Sequence, residues 1–288
     1  MKIACVVVTY NRLEMLKKCI ESLDNQSNSN FDIIVVNNGS TDDTKPWLST
    51  KKNIYAINQD NLGGAGGFYS GIDYAYKNGY DWFWLMDDDG VTDPDQLKEL
   101  ADKSVANNLM FTNALVCNLN EPIELAFGLN YDNESITNME TASKHVLMPL
   151  AINPFNGTFI NRCVIAQIGN IKREMFIWGD EKEFTLRAIK HGYVPTTITS
   201  AIHLHPKINA QLVNIVPFSG KYKLFIRPMD KMKYFIRNMG FINKNYYGTK
   251  ISLTFASKYF VHYLLRLNIR QLYFFVKYYS EGANNRYD

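Results

Sequence analysis

Trp82-Phe83-Trp84-Leu85-Met86-Asp87-Asp88-Asp89 runs five large apolar residues straight into three carboxylates. The apolar run has the length of a strand buried on both faces, as in parallel sheets. Side chains alternate along an extended chain. Asp87 and Asp89 are therefore expected on one face, with Asp88 turned away and the most tolerant of change. Two carboxylates on one face at a strand end repel unless a cation neutralises them, and a hard divalent ion with oxygen ligands meets that need. The plainer alternative is a solvated acidic turn, or a cap for a helix whose first turn holds Pro94. A buried strand leading into the triplet favours metal or nucleotide binding.

Upstream, strand and helix signals alternate. Ile3 to Val8 and Asp32 to Val36 read as buried strands, and Asn53 to Ile57 as a shorter third. Arg12 to Leu23 carries Leu13, Leu16, Ile20 and Leu23 at helical spacing. Asn61-Leu62-Gly63-Gly64-Ala65-Gly66-Gly67 reads as a glycine-rich loop opening a helix with Ile72 and Tyr76. This alternation predicts an α/β fold with a mainly parallel sheet between helices. Ligands bind such sheets at the carboxyl ends of the strands. Thr9-Tyr10-Asn11, Asn38-Gly39-Ser40 and Asp87-Asp88-Asp89 all fall at such ends and can converge on one site. Further on, residues 110–150 read as strands and loops, Glu181 to Lys190 as a helix, and Val194 to Ile202 as a strand leading into His203-Leu204-His205.

Each remaining cluster has a chemical and a structural reading. The glycine run lets backbone approach a phosphate or sugar and feeds a helix N-terminus, or it is a flexible connector. It is not a Walker loop, since no Gly-Lys-Ser/Thr follows, and it lacks the internal Lys or Arg expected of a nucleotidyltransferase. Asp180 and Glu181 sit at the start of a helix, where one can cap the helix and the other can act as a general base. Glu183 and Arg187, four apart, can pair on that helix. His203 and His205 share one face of an extended segment, and one of them is a candidate metal ligand.

The formal net charge of +3 hides an asymmetry: residues 1–205 hold 25 acidic and 17 basic residues, whereas 206–288 hold 3 and 14. The split predicts two regions, 1–205 and 206–288, with the basic, aromatic, mainly helical tail meeting something anionic. Lys258, His262, Arg266 and Arg270 recur every four residues beside Tyr259, Phe260, Tyr263, Leu264 and Leu267. They form either a solvated face or a surface for anionic lipid or a lipid-diphosphate acceptor. No nucleic-acid recognition module is visible. Cys5, Cys19, Cys117 and Cys163 lie in apolar surroundings and are expected as core thiols in a reducing compartment. Met1 to Cys5 has no signal-peptide layout, and no apolar run approaches the ~18 residues of a membrane span. A cytoplasmic protein is expected, with possible peripheral contact at the inner face of the membrane.

With these residues in view, the chain resembles the inverting glycosyltransferases of family 2, which have the GT-A fold. The resemblance rests on Val7-Val8-Thr9-Tyr10-Asn11-Arg12, Val36-Asn37-Asn38-Gly39-Ser40-Thr41-Asp42, the glycine run, the triple aspartate and the Asp180-Glu181 pair. Arg237-Asn238 and Glu281-Gly282-Ala283 also look like the family's C-terminal helices. Asn61 to Phe68, Leu85 to Asp89, and Phe176-Ile177-Trp178 before the acidic pair look most like galactofuranosyltransferases, and next like rhamnosyltransferases. The resemblance implies a GT-A domain over 1–205 and a helical C-terminal appendage. It places Thr9, Arg12, Asn38, Asn61, Gly63, Gly64, Asp87 and Asp88 around a nucleotide-sugar donor, and Trp178, Asn156 and Gly157 around the acceptor. A divalent metal, Mn2+ or Mg2+, would be held by Asp87, Asp89 and His205, with His203 the alternative. Glu181 matches the catalytic base, with Asp180 beside it. The implied donor is UDP-galactofuranose, or else dTDP-rhamnose or another UDP-hexose. The implied acceptor is a glycan, lipid-linked, in cell-surface polysaccharide synthesis. Readings from other classes are a sugar nucleotidyltransferase and an inactive glycan-binding module. The sequence leaves the oligomeric state open.

Overall fold

The computed structural model describes residues 1–207, 212–217 and 222–287. They form two compact units, Met1–Arg173 with Phe184–Ile208, and Glu174–Glu183 with Asn209–Asp288. The sequence drew one boundary after residue 205. The structure also groups the segment before and including the acidic pair with the C-terminal residues.

In the first unit the order is β1 (Ile3–Thr9), α1 (Leu13–Asp24), β2 (Asp32–Asn38), α2 (Thr44–Ser49), β3 (Ile54–Gln59), α3 (Gly63–Lys77), β4 (Trp82–Asp87), β5 (Val91–Thr92), α4 (Gln96–Ala106) and β6 (Phe111–Asn118). Then come β7 (Glu124–Tyr131), β8 (Glu134–Asn138), α5 (Met139–Ala142), β9 (Leu147–Pro149), β10 (Thr158–Asn161), α6 (Arg162–Ile168), α7 (Asp180–Lys190), whose first turn belongs to the second unit, and β11 (Thr196–His205). The central sheet runs β3-β2-β1-β4-β10-β6-β11-β5. Strands β3, β2, β1 and β4 are parallel, while β10 is antiparallel to both β4 and β6. Because β11 pairs parallel with β6, its carboxyl end lies on the same edge as those of β1 and β4. The β1 and β4 apolar runs are buried on both faces, the burial expected of central parallel strands.

Helix α3 differs from the sequence reading in a way that matters. Gly63, Gly64, Gly66 and Gly67 are inside the helix, not in a loop before it. A Cβ on Gly67 would collide with Val8, and one on Gly71 with Val6, so these glycines let α3 lie tightly on β1. A Cβ on Gly64 would meet nothing within 4 Å. Pro94 stands before the N-cap Asp95 of α4 and not in its first turn. Cys5, Cys19 and Cys117 are buried, whereas Cys163 is exposed, which corrects the expectation of four core thiols.

The described residues of the second unit hold a two-stranded antiparallel ribbon, β12 (Leu212–Asn214) with β13 (Lys223–Phe225), and the α-helices α8 (Met232–Ile242), α9 (Gly248–Leu264) and α10 (Ile269–Ala283), with a π-helical turn, Asn243–Tyr247, between α8 and α9. Its core is aromatic: Tyr259 and Phe275 stack at 5.0 Å, with Met232, Ile236 and Tyr263 around them. The expected basic stripe does not persist. Helix α9 stops at Leu264, so Arg266 and Arg270 lie beyond its end. His262 is buried, with Nδ1 3.1 Å from the Asn214 carbonyl. Among the described residues, no helix is long and apolar enough to cross a membrane.

Candidate active site

Thr9 ends β1 and Asp87 ends β4, and the chain turns at once, with the Gly90 amide donating to the Asp87 carbonyl. Strand alternation therefore stops at Asp87 and does not govern Asp88 and Asp89. Asp88 is 3% exposed. Its Oδ2 accepts from Thr9 Oγ1 at 2.7 Å and its Oδ1 from Arg12 at 3.2 Å. This corrects the expectation that Asp88 faces away from the site. Arg12 also donates to Asp89 Oδ2 at 2.7 Å, so one guanidinium bridges two of the three carboxylates.

The other oxygen of Asp89 meets β11. Asp89 Oδ1 is 3.2 Å from His205 Nε2, yet it is buried without a directed hydrogen bond. His205 Nδ1 is 2.7 Å from the Pro206 carbonyl, an acceptor, so Nδ1 carries the proton. A neutral His205 would then aim its Nε2 lone pair at a carboxylate oxygen. Such a pair is stable only with a proton or a cation between the two atoms. Burial pushes His205 down, but the contact with Asp89 outweighs it and raises the imidazole above its ordinary value. Burial pushes Asp89 up, while His205 and Arg12 more than offset it and hold the carboxylate low. Asp87 has no such relief. Burial first, then Asp89 and Asp88, push it up to about 8 against the weaker pull of His205 and Arg12. Asp88 rises to about 6, chiefly through burial, despite Thr9 and Arg12.

A divalent ion fits this imbalance. Cis ligands of an octahedral ion bonded at about 2.1 Å stand about 3 Å apart, close to the Asp89–His205 separation. Among the described residues, no group of three or more His, Cys, Asp or Glu is gathered tightly enough to hold a metal alone, so Asp87 does not complete a set with Asp89 and His205. An ion that takes one or two protein ligands and substrate phosphates suits such a half-built site. His203 has other company. It is fully buried, its Nδ1 faces Gln96 Oε1 at 3.3 Å, and it packs under Gly90. Burial, then His205, push it down to about 3, so it stays neutral.

Asn38, 2% exposed, spends its side chain internally: Nδ2 donates to the Gly63 carbonyl, and Oδ1 accepts from Gln59 and the Leu62 amide. It ties the end of β2 to the start of α3. Asn61 Oδ1 accepts from the Gly63 amide at 2.9 Å. Gly157 is buried against Gln96 and His203, a packing position, and Asn156 Oδ1 beside it is buried without a hydrogen-bond partner. A polar depression at the carboxyl ends of β2 and β3 is lined by Asn37, Ser40, Lys45, Gln59 and Asp60, of which only Asn37 and Ser40 stood in motifs the sequence singled out.

In the second unit the acidic pair follows a strained segment. Phe176 and Trp178 have φ of 64° and 61°, and Gly179 has φ of 122°. Left-handed backbone costs a bulky residue roughly 1–2 kcal/mol. Asn238 of α8 holds the segment, its Nδ2 lying 2.9, 3.0 and 3.0 Å from the carbonyls of Met175, Ile177 and Trp178. Glu181 Oε2 accepts from the Gly179 amide at 3.0 Å, and Glu183, which is buried, accepts from Tyr246 at 2.6 Å. Sequence reasoning gave Asn238 no role and paired Glu183 with Arg187. Arg187 donates to the carbonyls of Ile168 and Asn170.

The mixed, mainly parallel sheet between helices is that of the GT-A glycosyltransferase fold, and its carboxyl edge carries the acidic and histidine side chains. The crystal structure of S. aureus TarS 1-349 in complex with UDP-GlcNAc superposes with a TM-score of 0.56 at 13% identity, covering 99% of this chain and 93% of that chain. A second crystal structure of S. aureus TarS aligns over 93% of this chain and 43% of that chain, with a TM-score of 0.56. The family model "Glycosyl transferase family 2" matches residues 4–122. Galactofuranosyltransferase GlfT1 of Mycobacterium tuberculosis (strain ATCC 25618 / H37Rv) is 33% identical over 213 residues, 70% of this chain and 69% of that protein. GlfT1 of Mycolicibacterium smegmatis is 29% identical over 251 residues, 83% of this chain and 82% of that protein. The chain belongs to glycosyl transferase family 2, and it is a glycosyltransferase.

Proposed function

We infer that this enzyme moves galactofuranose from UDP-galactofuranose, with inversion, onto a hydroxyl of a lipid-linked glycan in cell-surface polysaccharide synthesis. The observation that carries the donor is the 33% identity to galactofuranosyltransferase GlfT1 over 69% of that protein. Asp89 and His205 would hold Mn2+ or Mg2+, with Asp87 the further carboxylate at the end of β4. When bound, the ion offsets negative charge on the departing nucleotide diphosphate as a Lewis acid. Thr9 fixes Asp88, and Arg12 orients both Asp88 and Asp89 toward the donor. Asn38, Asn61 and Gly63 shape the β2–α3 corner against which the nucleotide sugar rests, with Gly64 beside it.

Glu181 takes the proton from the acceptor hydroxyl as that oxygen attacks the anomeric carbon, and Asp180 is the second candidate for the same proton. Glu181 accepts from the Gly179 amide through Oε2, which ties its side chain to the first turn of its own helix. Trp178 provides an apolar surface for the acceptor sugar, with Asn156 and Gly157 on the acceptor side.

The second unit supports peripheral contact with the inner face of a membrane. Helices α9 and α10 and the turn between them expose Leu253, Phe260, Leu267, Ile269 and Tyr273, and exposed Lys250, Lys258 and Arg270 stand among them. Vesicles of anionic lipid should bind the protein in a salt-sensitive way, and neutral vesicles should not.

Thermal denaturation with Mn2+ and a panel of nucleotide sugars tests the donor. UDP-galactofuranose should raise Tm most. Protection by dTDP-rhamnose alone would make the enzyme a rhamnosyltransferase.

A further inference from the structure

Arg227 lies in the basic C-terminal unit, between β13 and α8. Its guanidinium carbon is 4.5 Å from the Trp178 ring and 4.2 Å from the Phe225 ring, with Phe235 at 6.0 Å. Its Nε is buried without a hydrogen-bond partner. Among the described residues, no carboxylate stands within ion-pair distance of it, and Glu181 acts on it only through space. Burial pushes the guanidinium down by more than Glu181 lifts it, so its charge is under-compensated.

The surrounding construction is costly. Trp178, which carries one face of the contact, sits in left-handed backbone two residues after Phe176, which does the same. Asn238 and the stack of Phe176 on Tyr234 at 4.4 Å hold that backbone. A cation packed on aromatic rings keeps the donors on its rim, and arginine's planar fork matches the oxygens of a phosphate. Stacking fixes the side chain beforehand, which lowers the entropy lost on binding an anion.

We propose that Arg227, held on Trp178 and Phe225 beside Glu181, is an oxyanion-binding residue that takes a phosphate or diphosphate oxygen of a substrate. The chemistry is the same for the diphosphate of a nucleotide sugar and for that of a prenyl-linked acceptor. This assignment rests on the glycosyl-transfer reading only for the substrate's identity. Binding itself needs no turnover.

The test is calorimetric titration of the full chain with UDP, with farnesyl diphosphate and with octyl β-D-galactopyranoside, which has no phosphate. Arg227→Gln should weaken binding of at least one diphosphate by about tenfold or more, and leave the octyl glycoside unchanged. A loss confined to UDP assigns the residue to the donor, and a loss confined to farnesyl diphosphate assigns it to the acceptor. Arg227→Lys, which keeps the charge, should recover part of the loss, and the salt dependence of binding should flatten in Arg227→Gln. Unchanged affinity for both diphosphates overturns the proposal. So does a loss that accompanies a large fall in Tm and is not recovered by Arg227→Lys, because Arg227 would then serve only as packing. If both variants fail to fold, Phe225→Leu decides: binding equal to wild type in that variant overturns the proposal, since the stacking would be irrelevant to the anion. If no nucleotide sugar turns over but Arg227→Gln still weakens a diphosphate, the donor reading fails and this one stands.

Discussion

Asn238 is the residue whose removal should report most sharply on how the acidic pair is presented. It is fully buried, and its amide nitrogen serves three carbonyls, those of Met175, Ile177 and Trp178. Three acceptors around one atom require that atom to be nitrogen. Asn238→Ala would leave those carbonyls without their donor and release a segment that stores strain at Phe176 and Trp178. Two N–H groups at about 1 kcal/mol net each, plus a carbonyl penalty of similar size, give a loss of about 3 kcal/mol. Asn238→Asp should be worse at neutral pH, because a carboxylate would face three carbonyl oxygens. In an enzyme of this size, about 3 kcal/mol lowers Tm by roughly 6–12 °C. Hydrogen exchange across 174–181 should rise sharply, and kcat should fall further than the fraction unfolded explains, since Asp180 and Glu181 follow the released segment. If Asn238→Ala keeps the wild-type Tm and the wild-type exchange at 176–178, the clamp has no energetic role and the argument fails.

Asp88→Ala should cost donor affinity and about 2 kcal/mol of stability, because it strands Thr9 and leaves Arg12 held by Asp89 alone; a denaturant midpoint equal to wild type would support the view that Asp88 tolerates change. Gly67→Ala should destabilise by about 1–3 kcal/mol through collision with Val8, whereas Gly64→Ala should leave Tm unchanged or slightly raised, since its Cβ meets open space; equal effects at the two sites would refute the packing account of the glycine run. Burial first, then Arg266, holds His262 below its ordinary value, with the Asn214 carbonyl opposing. The native state therefore binds this proton less readily than the unfolded chain, and stability is present above about pH 6.5 and lost as pH falls below it. His262→Phe should flatten the Tm profile of the enzyme between about pH 7 and 5, and a profile parallel to wild type would exclude this source.

Much of the fold was legible because the central strands are buried on both faces, so Ile3 to Val8 and Trp82 to Met86 read as uninterrupted apolar runs. The convergence of strand ends was legible for the same reason. What failed were inferences that extended a local period past its limit. Alternation could not place Asp88, because the strand ends one residue earlier and a tight turn takes over. The glycine run read as a loop because glycine is a poor helix former, yet close packing of α3 on β1 demands residues without a Cβ. The four-residue stripe in the tail assumed one helix where the chain breaks after Leu264. His203 and His205 share a strand, but only tertiary contacts separate them, one under Gly90 and the other facing Asp89. The resemblance marked Asn238 without giving it a task, and neither its clamp nor the Arg227–Trp178 contact was legible, since Asn238 and Arg227 meet that segment some fifty to sixty residues away in sequence.

The most direct test is turnover of UDP-galactofuranose and dTDP-rhamnose, offered together to the Mn2+-loaded enzyme with a prenyl-diphosphate-linked glycan, with the product identified by mass and by the ring form of the added sugar. A product carrying one added hexose in the furanose form, absent after chelation and absent in Asp89→Ala, is the predicted result. A product carrying only a deoxyhexose, or a furanose product formed equally well after chelation, would contradict it.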